Sequence, residues 1–244
     1  MVAIRPLQST LTICMKQIID FLKRLGANNN RTWFLEHKAE YQEAKERFDA
    51  FTEELISRVA AFDPTIRGLT AKDCTYRIYR DVRFSTDKSP YKTHMACYIC
   101  RGGKKSGYSG YYFHVAAEEG NSYPKGHMLA VGDYCMEPKA LQILREDIMD
   151  GDGDFERILM KKVDSCFILD KSFQLKRPPK GYDENTPYID LIKYKAFCLC
   201  YEPQTEEILS PNIIDIVAER FRTTKPFLDY INRSIEYVKD GNCD

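Results

Sequence analysis

The chain has 244 residues, 43% hydrophobic and 30% charged, with 36 Lys/Arg against 36 Asp/Glu. That length holds one large domain or two small ones, and a formal net charge of zero excludes a general electrostatic pull toward nucleic acid or membrane. No apolar run reaches the length of a membrane helix, the N-terminus lacks the features of a signal peptide, and nine scattered cysteines fit a reducing cytoplasm.

Residues 1–14 have no clear period and carry Pro6 and several Ser/Thr, so a loose tail is expected before Met15. Ile18, Ile19, Leu22 and Leu25 then repeat at helical spacing, with Gly26 as a stop. Asn30 suits the N-cap of a second helix. Its apolar stripe runs through Trp33, Phe34, His37, Tyr41, Ala44, Phe48, Phe51, Leu55 and Val59 to the Asp63-Pro64 break, and its length is compatible with an internal break. His37 lies on this stripe and reads as a packed histidine. From Cys74 the period falls to two. Tyr76, Ile78, Arg80, Val82 and Phe84 alternate with Arg77, Tyr79, Asp81 and Arg83, which predicts a strand.

After a polar turn over 85–90, strands are expected from His94 to Cys100 and from Tyr111 to Ala116, joined as a hairpin through Gly102 to Gly107, with a fourth from Met128 to Val131. Glu137-Pro138 opens a helix bearing Leu141, Leu144 and Ile148, followed past Gly151-Asp152-Gly153 by Phe155, Ile158 and Leu159. Leu175 to Tyr182 is a basic, proline-fixed loop. A short helix over 188–194, a strand over 196–201 and two closing helices over 211–222 and 226–238 complete the chain. No repeat, low-complexity stretch or linker interrupts it. The expected architecture is a single α+β domain over 15–244, with a central, mainly antiparallel sheet and helices at both ends of the chain.

The balanced charge is unevenly spread. From Arg77 to Lys105 there are eight Lys/Arg against two Asp, whereas from Tyr201 to Asp244 there are five basic against nine acidic residues. Any anion site is therefore expected in the middle of the chain. Arg77, Arg80 and Arg83 offer forked donors suited to phosphate or carboxylate, and Lys88 and Lys92 add point charges. Asp81 could orient an arginine, bind a metal or act as a base, while a structural Arg–Asp ladder is an equal reading of the same residues. His94 and His114 sit on the two arms of the hairpin, where one register shares a face and a one-residue slip separates them. On a shared face they could serve as general acid and base; a hydrogen-bonded sheet histidine is the plainer reading of each.

Lys176, Arg177 and Lys180 make a second basic segment, a candidate second wall of the site. Gly102 to Gly107 does not meet the phosphate-loop pattern and precedes no helix, so a basic hairpin turn is expected there. Cys97 and Cys100 are three apart on a strand and point to opposite faces. Neither they nor Cys198 and Cys200 lie in a loop or at a helix N-terminus, so no metal site is assigned.

These residues also carry a resemblance. Phe21-Leu22 with Asn29-Asn30-Arg31 and Trp33-Phe34, Arg77-Ile78-Tyr79-Arg80-Asp81 with Arg83-Phe84-Ser85, Asp87-Lys88 with Pro90-Tyr91-Lys92-Thr93, Gly110-Tyr111-Tyr112 with His114, and Leu175 to Tyr182 follow one another as in the bacterial and fungal family catalogued as domain of unknown function 2461. The chain resembles that family from about Ile18 to Tyr201. The resemblance implies no activity, cofactor or catalytic residue.

Two classes of function stay open at this level. One is a protein that holds a small phosphorylated or carboxylated ligand with Arg77, Arg80, Arg83, Lys88, Lys92, Lys176, Arg177 and Lys180, using Asp81, His94 or His114 for proton transfer. The other is a non-catalytic module whose basic, aromatic face meets an acidic partner or a nucleic acid strand, the latter less favoured at zero net charge. The sequence names no cofactor and no oligomeric state.

Overall fold

The computed structural model describes residues 7–117 and 126–241, with side chains from Met15 onward. Helix α1 (Leu7–Ala27) begins inside the segment expected as a tail, since Leu7 and Leu11 extend the spacing that Met15, Ile18 and Leu22 carry on. Residues 1–6 lie outside the described residues. Asn30 caps α2 (Arg31–Glu36) by accepting the Trp33 N–H at 3.0 Å. The long aromatic stripe is broken once, at His37, before α3 (Lys38–Ala60). A single turn, α4 (Ala71–Cys74), leads into the segment where the structure departs furthest from the pattern.

Residues 75–93 do not form the expected strand. They make the isolated bridges Thr75–Cys97 and Tyr79–Tyr91, and the segment doubles back on itself through Arg80 N to Pro90 O (3.0 Å) and Lys92 N to Ile78 O (2.8 Å). The reason is local competition. Asp81 and Asp87 accept backbone N–H groups two residues on, from Arg83 and Ser89, and so offer the chain turns in place of a ladder. Arg77, Asp81 and Arg83 therefore do not share a strand face.

The sheet has the order β1-β2-β3-β5-β4, with β1 (His94–Ile99), β2 (Gly110–Ala116), β3 (Met128–Asp133), β4 (Ile168–Leu169) and β5 (Phe197–Tyr201), every pair antiparallel. Between β3 and β4 lie α5 (Pro138–Asp150), capped by the Glu137 carboxylate on Ala140 N, and α6 (Asp154–Lys161). Between β4 and β5 lie the basic loop and α7 (Ile189–Ile192). The short α8 (Thr205–Ile208) precedes α9 (Ile213–Lys239), one continuous helix where two were expected. Pro226 removes the N–H that would bond the Arg222 carbonyl. The hydroxyls of Thr223 and Thr224 satisfy the carbonyls of Arg220 and Phe221 at 2.8 and 2.7 Å, and buried Phe221, Phe227 and Leu228 hold the apolar face together across the proline.

Strand alternation divides the sheet cleanly. Tyr111, Phe113, Val115, Leu129, Val131, Phe197 and Leu199 share one face, none more than 2% exposed. Onto that face pack α3 against β1, α1 against β2 and α9 against β3. The ring of Phe113 meets Phe51 at 5.0 Å, and Phe155 joins Phe197 and Phe227 further along. One contiguous hydrophobic core runs from Met15 to Ile231, which makes this an α+β fold built around a single core.

Candidate functional site

The opposite face of the sheet carries His94, Ala96 and Tyr98 on β1, Tyr112, His114 and Ala116 on β2, Met128 and Ala130 on β3, and Cys198 and Cys200 on β5. His94 pairs with Ala116 and Ala96 with His114, so the hairpin takes the register in which both histidines share a face. They stand diagonally, with ring centroids 5.3 Å apart.

His114 is 1% exposed and its protonation follows from its partners. Nε2 lies 2.9 Å from the Gly126 carbonyl, which can only accept, so Nε2 carries the hydrogen. Burial pushes the ring down to about 4, partly opposed by that carbonyl, so it is neutral near pH 7. Nδ1 is then an acceptor, and the Tyr112 hydroxyl donates to it at 3.0 Å. His94 differs. Its Nδ1 is buried with no hydrogen-bond partner among the described residues. Burial first, then His114, Lys92 and Arg80, push its ring down to about 3.

The expected cations sort into three groups. Arg83 is held by both oxygens of Asp81, with Nε and Nη2 donating at 2.9 and 2.6 Å, and the pair is exposed, at 76% and 48%. Arg83 holds the Asp81 carboxyl below its usual range, which makes it a poor proton acceptor and an orienting group for Arg83. Arg80 pairs with Asp87 and donates to Ser89 O at 3.2 Å. Asp87 is held down to about 2 by the Ser89 hydroxyl and N–H and by Arg80. Lys88 closes the same loop through the Val82 carbonyl at 3.0 Å. Arg77 and Lys92 make no ion pair among the described residues. Lys92 lies 5.3 Å above the Tyr76 ring, and burial and then Arg77 lower its pKa.

The second basic wall is not where it was expected. Leu175 bonds Lys193 and Gln174 bridges Tyr194, beyond β4, so exposed Lys176, Arg177 and Lys180 hang from the edge of the sheet opposite β1. Four strand spacings, roughly 19 Å, separate the two edges. A groove of about 240 Å³ between α1 and α3, lined by Asp20, Arg24, Glu40, Glu43 and Arg47, is unrelated to either basic segment. Four of these five charges are matched by the ion pairs Arg24–Glu40 and Arg47–Glu43. Among the described residues no group of three or more His, Cys, Asp or Glu is placed to hold a metal ion.

Tyr112, Tyr98 and the β5 thiols were not singled out as site residues from sequence. The usable signal for Tyr112 was its separation of two from His114 on one strand, which places both on one face.

Residues 17–230 match the family described as Conserved hypothetical protein (DUF2461), and the chain belongs to that family. No curated protein and no solved structure matches it.

Proposed function

We propose that this member of the family binds a small anionic ligand, phosphorylated or carboxylated, at the β1 edge of the histidine-bearing sheet face, through Arg77, Lys92 and His94, with the Tyr112–His114 pair beside them. The observation that carries this reading is the crowding of positive groups. Burial and then Arg77 lower the Lys92 pKa, and burial, then His114, Lys92 and Arg80, lower that of His94, whose buried Nδ1 is left without a partner among the described residues. Like charges held together raise the energy of the empty site, and an anion between them would lower it. The neutral His114, fixed by Gly126 and polarising the Tyr112 hydroxyl, would supply proton transfer if the ligand reacts.

A second reading rests on Phe84, 97% exposed with the Arg83 guanidinium 5.9 Å from its ring, near exposed Tyr76 and Tyr79 in the chain. Such a surface suits stacking with an unpaired nucleic acid strand. Thermal-shift titration separates the two. Phosphate, sugar phosphates, nucleotides, carboxylates and short single-stranded oligonucleotides are tested on the wild type, Lys92→Met and Arg83→Ala. A small anion at a hundred times its Kd adds about 2.7 kcal/mol. The first reading expects that shift in the wild type and Arg83→Ala and its loss in Lys92→Met. Shifts with oligonucleotides alone, fading as salt rises, would sink it in favour of the second.

A further inference from the structure

We propose that Cys198 and Cys200, on β5 at the far end of the histidine-bearing face, form a two-thiolate chelate for a thiophilic metal ion or metalloid. They are two apart on β5, so the pleat aims both side chains to the same face, and their sulfurs are 3.7 Å apart. Both thiols are partly exposed, unlike the buried Cys74, Cys97 and Cys100. Across the β3 ladder they face Gly132 and Ala130, so little side-chain bulk stands beside the sulfurs on that side. A side chain at Gly132, whose φ is +120°, would meet the Phe197 carbonyl oxygen at 2.1 Å, so this position stays bare. Asp133, Asp170 and Glu202 bear electrostatically on the pair and favour a cation.

The separation decides what the pair does. Two sulfurs bound at about 2.3 Å to one tetrahedral centre lie about 3.8 Å apart, close to the distance found. A disulfide needs about 2.05 Å, a closure of about 1.7 Å. Residues two apart on a strand have Cα atoms about 6.8 Å apart, at the upper limit for a disulfide, and β5 is hydrogen-bonded to β3 and β4 on its two sides. The backbone therefore resists the closure, while chelation needs at most a few tenths of an ångström of movement, the pyramidal angle of trivalent arsenic drawing the sulfurs slightly closer than a tetrahedral centre does. The two sulfurs are within hydrogen-bond reach, and either can be the donor.

The described residues offer no third ligand, so the site suits a centre that two thiolates satisfy, such as a monosubstituted trivalent arsenical. With phenylarsine oxide two S–H bonds break, two As–S bonds form, and the oxide oxygen leaves as water with the two protons. No oxidant is needed.

The test uses the full chain with phenylarsine oxide and, separately, Cd²⁺. Intact mass and ultraviolet thiolate-to-cadmium absorption are read for the wild type, Cys198→Ser, Cys200→Ser and Cys135→Ser, Cys135 being exposed and apart from the pair. The wild type and Cys135→Ser are expected to take up one equivalent, released by a small dithiol and not by a monothiol. Each β5 variant should bind at least a hundredfold more weakly, because the second bond is no longer intramolecular. Circular dichroism checks that the variants fold. If they do not, peptide mapping of alkylation on the wild type replaces them, with labelling at Cys198 and Cys200 falling together as arsenical saturates. Undiminished binding by either β5 variant, undiminished alkylation at either cysteine, or ready conversion of the pair to a disulfide by a mild thiol oxidant overturns the proposal.

Discussion

At the residue scale, the two histidines that share a sheet face have one origin and different settings. Strand parity puts both on the same side of the hairpin, but His114 has both nitrogens bonded and His94 leaves one bare. Both rings are held neutral, so both tie stability to pH with the same sign. The folded-state pKa lies below the unfolded value of about 6.5, so the unfolded chain binds more protons in between. Stability is full above pH 6.5 and is lost as pH falls toward about 4 for His114 and about 3 for His94. For His114, 1% exposed, the loss is about 3 kcal/mol at 1.36 kcal/mol per pH unit. Urea unfolding between pH 7 and 4 should show this slope in the wild type and a shallower one in His114→Gln. An equal slope in both would mean that the ring charges freely inside the fold.

At the element scale, the Asn29 to Phe34 corner fastens the irregular 75–93 segment to the helices. Asn29 donates to the Tyr91 carbonyl at 2.9 Å and accepts the Tyr91 N–H at 3.1 Å, closing a reciprocal pair across 62 residues. Phe34 stacks on the Tyr91 ring at 3.9 Å and meets Tyr79 edge-on at 5.9 Å. These asparagine and aromatic contacts position the segment that carries Arg77 and Lys92. Asn29→Ala strips both backbone groups of a tyrosine that is 3% exposed. It is expected to cost about 2 kcal/mol and to speed amide exchange at Tyr91 well before exchange in β2. Unchanged exchange at Tyr91 would show that ring packing alone holds the segment.

At the scale of the whole molecule, the sheet is the partition. One face is buried under α1, α3 and α9, and the other carries His94 and His114 on β1 and β2 and the thiols on β5. Because one core joins all of these helices and every long strand, unfolding is expected to be a single cooperative event. Trp33, the sole tryptophan, reports on α2 by fluorescence while far-ultraviolet circular dichroism reports on the helices as a set. The two transitions should coincide in urea. Phe113→Ala, at 0% exposure between Phe48 and Phe51, should shift both together by about 3–5 kcal/mol. Separated transitions would mean that the helical layer and the sheet are independent units.

What the sequence determined by itself was whatever one periodicity dictates: the helices α1, α5 and α6, the hairpin β1–β2, the Asn30 cap, and the membership of His94 and His114 in one hairpin. Each rests on interactions within a few residues, which local pattern encodes. The alternation in Tyr76 to Phe84 encoded a strand equally well, yet Asp81 and Asp87 accept the N–H groups of Arg83 and Ser89 locally and Asn29 claims Tyr91 from 62 residues away. The break expected at Pro226 was overruled because buried Phe221 and Phe227 anchor the helix on both sides of it. Tertiary structure alone decided the register that unites the histidines, and the strand order that carries the 176–180 loop to the opposite edge. Register and strand order depend on pairings between residues far apart in sequence, whose energies no local window contains.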